Sequence, residues 1–186
     1  TGDAIFTQKE ICRHIRDRHG HYLFAVKDNQ PELKNNIAEA FGDLSPLGPQ
    51  ALHDGPPPDL ACAESIDKGH GRIEIRKLAV SSEVVDHLDW PGAAQVVRVE
   101  RHRHIPGIQG SARDSVEIAY LITSLSVAEA CPARLLALNR AHWAIENRLH
   151  HVRDVSFNED RCRVRAGARP LAALRNLVLS LIRKSG

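Results

Sequence analysis

The sequence predicts an α/β fold with a layered core, a β-rich middle block and C-terminal helices. Three observations point there. A helix–strand–helix pattern occupies residues 8–42, strand-like runs recur between 72 and 125, and helical periodicity returns from 128 onward. A chain of 186 residues, 42% hydrophobic and 26% charged, can build one ordinary core and is not of disordered composition.

The first element follows from Thr7-Gln8-Lys9-Glu10, which has capping-box form, and from the apolar stripe of Ile11, Cys12 and Ile15. A helix over 8–19 results, and Gly20 suits its stop. His21 to Val26 reads as a strand covered on both faces, since Tyr22, Phe24 and Val26 alternate with Leu23 and Ala25. Lys27 to Gln30 makes a polar turn. Pro31 opens a second helix with Leu33, Ile37, Ala40 and Phe41 at helical spacing and Gly42 behind them. Asp3 then stands at the carboxyl edge of a strand expected further upstream, where sites of layered α/β sheets collect.

Five of the ten prolines fall within 46–58 and mark a loop or boundary. Arg72 to Val80, Ala94 to Arg103 and Val116 to Leu125 read as strands of an antiparallel insertion. Helices are expected over 128–138 and 139–152, with a last one from Pro170 carrying Leu171, Leu174, Val178, Leu181 and Ile182 as a core-facing stripe. The parts are 1–45 (core, first part), 46–127 (proline loop and β-rich insertion) and 128–186 (helical part).

Each apolar run is well short of the ~18 residues of a membrane helix, and the first residues of this sequence do not show the charged, apolar, small-residue order of a signal peptide. Cytoplasmic residence is expected. Cys12, Cys62, Cys131 and Cys162 contain no close pair, so zinc ribbons and redox motifs are not indicated. The absence of Met suggests a fragment or a processed piece.

The net charge of +2 hides an asymmetry. Cys131 to Gly186 hold eleven Arg or Lys against four acids; the first 130 residues hold 14 basic and 19 acidic residues. An Arg-rich segment suits a phosphate backbone, and equally a solvated helical face.

On an ideal helix with His142 at zero, Glu146 falls near about 40° and Arg153 near about 20°. Ala141, Ile145, Leu149 and Val152 form the adjoining apolar stripe. Glu146 could be a half-shielded, aimed carboxylate, or an exposed acid paired with His142 or His150. His102 and His104 flank Arg103, but no third zinc ligand is indicated.

His142-Trp143-Ala144-Ile145-Glu146-Asn147-Arg148-Leu149-His150 closely resembles a segment of bacterial insertion-sequence transposases of the DDE class, in the subgroup of the H-repeat-associated proteins. Five further blocks match in the same order: Gly2-Asp3-Ala4 with Thr7-Gln8, His21 to Pro31, His70 to Arg76, Asp89-Trp90-Pro91-Gly92, and the tail Leu171 to Arg183.

The resemblance implies an RNase H-like catalytic core, partial here because its N-terminal strands are missing, interrupted by the β-rich insertion. It implies DNA strand cleavage and joining by phosphoryl transfer with Mg²⁺ (Mn²⁺ possible). Asp3 matches the family's second acid and Glu146 its third, as catalytic and metal-binding residues; the first acid has no counterpart here. The wider group carries Tyr, Arg and Lys where this chain has Asn139, His142 and Arg153. His142, Trp143, Arg153, Lys27 and Arg72 are the candidate DNA contacts. For four of them an ordinary alternative stands: core packing for Trp143, ion pairs with Asp154 or Glu159 for Arg153, solvated side chains for Lys27 and Arg72. The implied partners are transposon-end and target DNA, with a homodimer in the DNA complex. The alternative function is an inactive remnant that only binds DNA, and this stretch is expected to be inactive by itself.

Overall fold

A computed structural model of the chain describes residues 1–43, 59–69, 71–106, 113–145 and 168–185. These fall into two units, Thr1–Asn139 and Arg140–Gly186. The elements in chain order are a 3-10 turn at Ala4–Phe6, α1 (Lys9–Asp17), β1 (Leu23–Val26), α2 (Pro31–Ala40), β2 (Ala61–Gly69), β3 (Arg72–Ser81), a 3-10 helix at Glu83–His87, β4 (Gln95–Ile105), β5 (Arg113–Thr123), α3 (Pro132–Ile145) and α4 (Ala168–Ser185). The chain is thus α/β with one five-stranded sheet.

That sheet has the order β1-β5-β4-β3-β2, and every pairing is antiparallel. The middle block therefore continues the sheet begun by β1: Leu23 stands opposite Thr123, and Val26 opposite Tyr120. The pleat sorts the strand residues into two apolar clusters. Phe24, Ile122 and Val96 face Cys12 of α1, Leu33 and Ile37 of α2, and Trp90. Leu121, Val97, Val80 and Leu78 face Leu135 and Leu136 of α3. β1 is buried on both faces, as its uninterrupted apolar run anticipates.

Local signals and tertiary demands part company at α1. The capping box does not form. Gln8 occupies the N-cap without a side-chain bond to the helix, its Nε2 donating instead to Ile5 O, and Thr7, fully buried, donates its hydroxyl to the Ala25 carbonyl at 2.6 Å. At the other end His19, not Gly20, takes the left-handed position with φ 58°. His19 N–H donates to Arg16 O and Gly20 N–H to Ile15 O, which closes a Schellman motif. Gly42 does the same for α2 at φ 74°, as its position after Phe41 suggests.

Two further expectations change. The segments 128–138 and 139–152 are not separated at 138, because one helix runs from Pro132 to Ile145. Within it Ala141, expected in the apolar stripe, is exposed. In α4, Leu174 and Leu181 of the expected stripe are more than half exposed while Leu171 and Val178 are partly buried, so the stripe is only partly covered among the described residues. The proline loop 46–58 lies outside the described residues.

Beyond the level of Val26, strands β2 to β5 run on as an arm. Seven consecutive residues of β5, Arg113 to Ala119, are exposed; at about 3.3 Å per residue the arm extends roughly 23 Å. A polar knot sits at its root. Arg98 Nε donates to Asp43 Oδ2 at 2.6 Å and Nη1 to Glu100 Oε2 at 2.7 Å, while Tyr120 Oη donates to Asp43 Oδ2 at 2.7 Å. Burial works against the Arg98 charge, but the bonds to Asp43 and Glu100 outweigh it and raise the guanidinium pKa. Burial, and then the Asp43 bond, pushes the Tyr120 phenol up. Among the described residues no helix is long and apolar enough to cross a membrane.

Candidate active site

Asp3 is positioned by backbone pairing at the first residues. Gly2 bridges Phe24 in parallel: its N–H donates to Leu23 O at 3.1 Å, and its carbonyl accepts from Ala25 N–H at 3.3 Å. Glycine is required there, because a Cβ would stand 2.8 Å from the Phe24 ring. Asp3 follows with extended backbone and caps the 3-10 turn, its Oδ1 accepting from Ala4 N–H at 2.8 Å.

The turn after β1 closes on this segment. Lys27 Nζ lies 3.2 Å from Asp3 Oδ1. Asn29 Nδ2 donates to Ala4 O at 2.6 Å, and Gln30 Nε2 donates to Thr7 O at 3.0 Å. Together with the Thr7 bond to Ala25 O, these contacts tie residues 3–7 to residues 25–30. Apart from their place in the family-matching blocks, the sequence assigned Asn29 and Gln30 to a polar turn and Thr7 to a cap, with no contact to the Asp3 segment foreseen. The usable signal was two consecutive side-chain amides between a strand and Pro31, able to bond backbone groups of a neighbouring turn.

The structure thus brings Asp3 and Lys27 together. The Asp3 and Lys27 side chains are 52% and 63% exposed, so the pair is open to solvent and to a ligand. Arg72 is elsewhere. It starts β3 at the far end of the arm, three strands from β1, with Nε 3.7 Å from Glu74 Oε2. His142 is half-buried in the last turn of α3, and Trp143 follows it in the same helix. Glu146 and Arg153 lie outside the described residues, as does His70. His102 and His104 pair with Glu100 and Asp114, respectively. Among the described residues no group of three His, Cys, Asp or Glu is arranged to hold a metal ion.

The fold and this edge carboxylate describe an α/β protein whose acidic residue sits just beyond a sheet pairing, held by an adjoining turn. Family comparison gives that class its name. The model of the transposase DDE domain matches residues 1–182, and the chain belongs to the DDE transposase family. It is 32% identical over 189 residues to protein YbfL of Escherichia coli strain K12, covering 98% of this chain and 46% of that one. It is equally 32% identical to YhhI of the same strain, named as an H repeat-associated transposase candidate, with 98% and 46% coverage. YncI of Escherichia coli O157:H7, named as a transposase candidate, is 32% identical with 98% and 45% coverage. The chain spans about half the length of these relatives. No solved structure matches it.

Proposed function

We propose that this chain serves DNA transposition, as part of a protein that cleaves and joins DNA strands at insertion-sequence ends by metal-dependent phosphoryl transfer on an RNase H-like core. The observation that carries the reading is Asp3. A solvent-open carboxylate stands one residue past a parallel backbone pairing, oriented by Ala4 N–H and the Lys27 ammonium, in a chain matched almost throughout by the DDE domain.

An exposed, positioned carboxylate supplies the oxygen that hard divalent cations take, so Asp3 fits a Mg²⁺ or Mn²⁺ ligand, with Glu146 as the second acid of this chain. Bound there, the cation would activate the attacking hydroxyl and stabilise the leaving oxygen of the phosphodiester. The chain's own residues have separate tasks. Asn29, Gln30 and Thr7 hold the Asp3 turn in register with β1. Lys27 balances the carboxylate charge and offers an ammonium to a neighbouring phosphate. His142, Trp143 and Arg153 are assigned to DNA contact, and action on two ends calls for a dimer.

The test is strand cleavage and joining by the full-length protein with Mg²⁺ or Mn²⁺. Asp3→Ala and Glu146→Ala should each abolish both steps while leaving the protein folded. Activity unaffected by Glu146→Ala removes the catalytic assignment. Salt-sensitive DNA binding with no metal-dependent cleavage in any form assigns the binding role alone.

A further inference from the structure

The far half of the arm has two unlike faces. Strand alternation puts Arg72, Arg76, Arg101, Arg103 and Arg113 on one face with Asp67, Glu74 and Glu117. The other face carries Lys68 and Lys77 against Glu64, Glu100 and Asp114, among Ile66, Ile73, Ile75, Val116 and Ile118. The first face is basic, and every cation on it is an arginine.

Its centre is Glu74, whose side chain is 6% exposed. Arg76 Nη2 donates to Glu74 Oε1 at 2.7 Å, and the Nε atoms of Arg72, Arg101 and Arg103 lie 3.7, 3.7 and 3.8 Å from the Glu74 carboxylate. Arg76 also donates to Asp67 at 2.7 Å, and Arg101 donates to Glu117. One carboxylate thus gathers four guanidiniums from two adjacent strands. Each guanidinium has five N–H donors, far more than these carboxylates can accept. The contacts of Arg72 and Arg103 to Glu74 are longer than hydrogen bonds, and both side chains are at least one-third exposed, although the Nε atom of Arg103 is itself buried.

We propose that this arginine face, through Arg72 and Arg103 with Arg113 beside them, binds the phosphodiester backbone of duplex DNA. The inference rests on the DNA reading above and adds a surface separate from the Asp3 site. Charge complementarity selects the partner: planar guanidinium forks match phosphate oxygens two at a time. The face has no aromatic side chain for stacking on unpaired bases, which favours a duplex over a single strand.

The experiment is fluorescence anisotropy of a labelled DNA duplex with the 186-residue chain, from about 50 to 200 mM KCl. Replacing both residues, Arg72→Gln with Arg103→Gln, should weaken binding about tenfold at the low-salt end and reduce the salt slope by about two. Glu117→Gln, which removes an exposed acid from the same face, should tighten binding and steepen the slope, an outcome that misfolding would not produce. Duplex binding by the unaltered chain that all these substitutions leave unchanged overturns the arm surface alone. No duplex binding by the unaltered chain overturns the arm surface and the DNA-binding role together. Equal losses on single strands and duplexes overturn the choice of partner.

Discussion

Lys27 Nζ stands 3.2 Å from Asp3 Oδ1, so the last backbone step out of β1 delivers a cation to the carboxylate that follows the Gly2 pairing. The two residues are 24 positions apart and meet because Gly2, bridged to Phe24, exchanges backbone hydrogen bonds with Leu23 and Ala25. An ion pair this exposed contributes about 0.2–1 kcal/mol at most. Its position matters more than its strength.

Lys27→Met therefore should leave stability within about 0.5 kcal/mol of the unaltered chain in a urea melt. If Lys27 steers a phosphate, cleavage by the full-length protein should fall about tenfold, the equivalent of roughly 1.4 kcal/mol. Equal stability with equal activity would leave the residue a solvated side chain.

Asn29→Ala and Gln30→Ala should each cost about 0.5–1.5 kcal/mol, because each removes one side-chain bond to a carbonyl of the Asp3 turn. Amide exchange at Ala4 to Thr7 should quicken more than exchange in α2. Uniform quickening across the domain would mean that these amides serve general stability instead.

Gly2→Ala should cost about 1–3 kcal/mol by overpacking, since the new methyl meets the Phe24 ring. Phe24→Leu in the same chain should recover part of that loss. A thermal melt of the four forms decides it, and strict additivity would rule out the contact.

Arg98→Met should cost about 3 kcal/mol or more, because it strands the nearly buried Asp43 carboxylate. Asp43→Asn added to it should restore some stability in a urea denaturation series. A single variant as stable as the unaltered chain would show that the knot at the arm root is dispensable.

Acid sensitivity should come partly from Glu100. The Arg98 hydrogen bond, opposed by burial and aided by His102, holds its carboxyl below the ordinary range. A depressed folded pKa contributes stability that is full above the unfolded value, about 4.3, and is lost as pH falls through the folded value. Melting temperature should thus be insensitive to this group above about pH 5 and drop beneath about pH 4. Glu100→Gln should flatten that drop; an unchanged acid limb would exclude the contribution.

The parts read correctly from sequence are those whose burial is local in pattern. α1 and α2 carry apolar residues at the helix period because one face of each meets the core, and β1 is an unbroken apolar run because both of its faces do. β2 escaped notice for the converse reason. It stands at one end of the sheet order and is largely exposed, so Ala61–Gly69 has no apolar alternation to detect. The Leu174 and Leu181 stripe misled in the opposite sense, since periodicity reports an apolar face but not what covers it.

The sequence by itself determined that the chain is α/β, where its first three elements lie, and, through Asp3, Thr7, Lys27 and the His142–His150 segment, its family. Tertiary structure alone decided that β5 returns to β1 across about a hundred residues, that Thr7 and His19 abandon their local preferences, and that Lys27, Asn29 and Gln30 converge on the Asp3 turn. The physical reason is range. Helix period and caps are set by neighbours within a few residues, whereas strand pairing and the hydrogen bonds of a buried hydroxyl or turn amide depend on partners that only folding supplies.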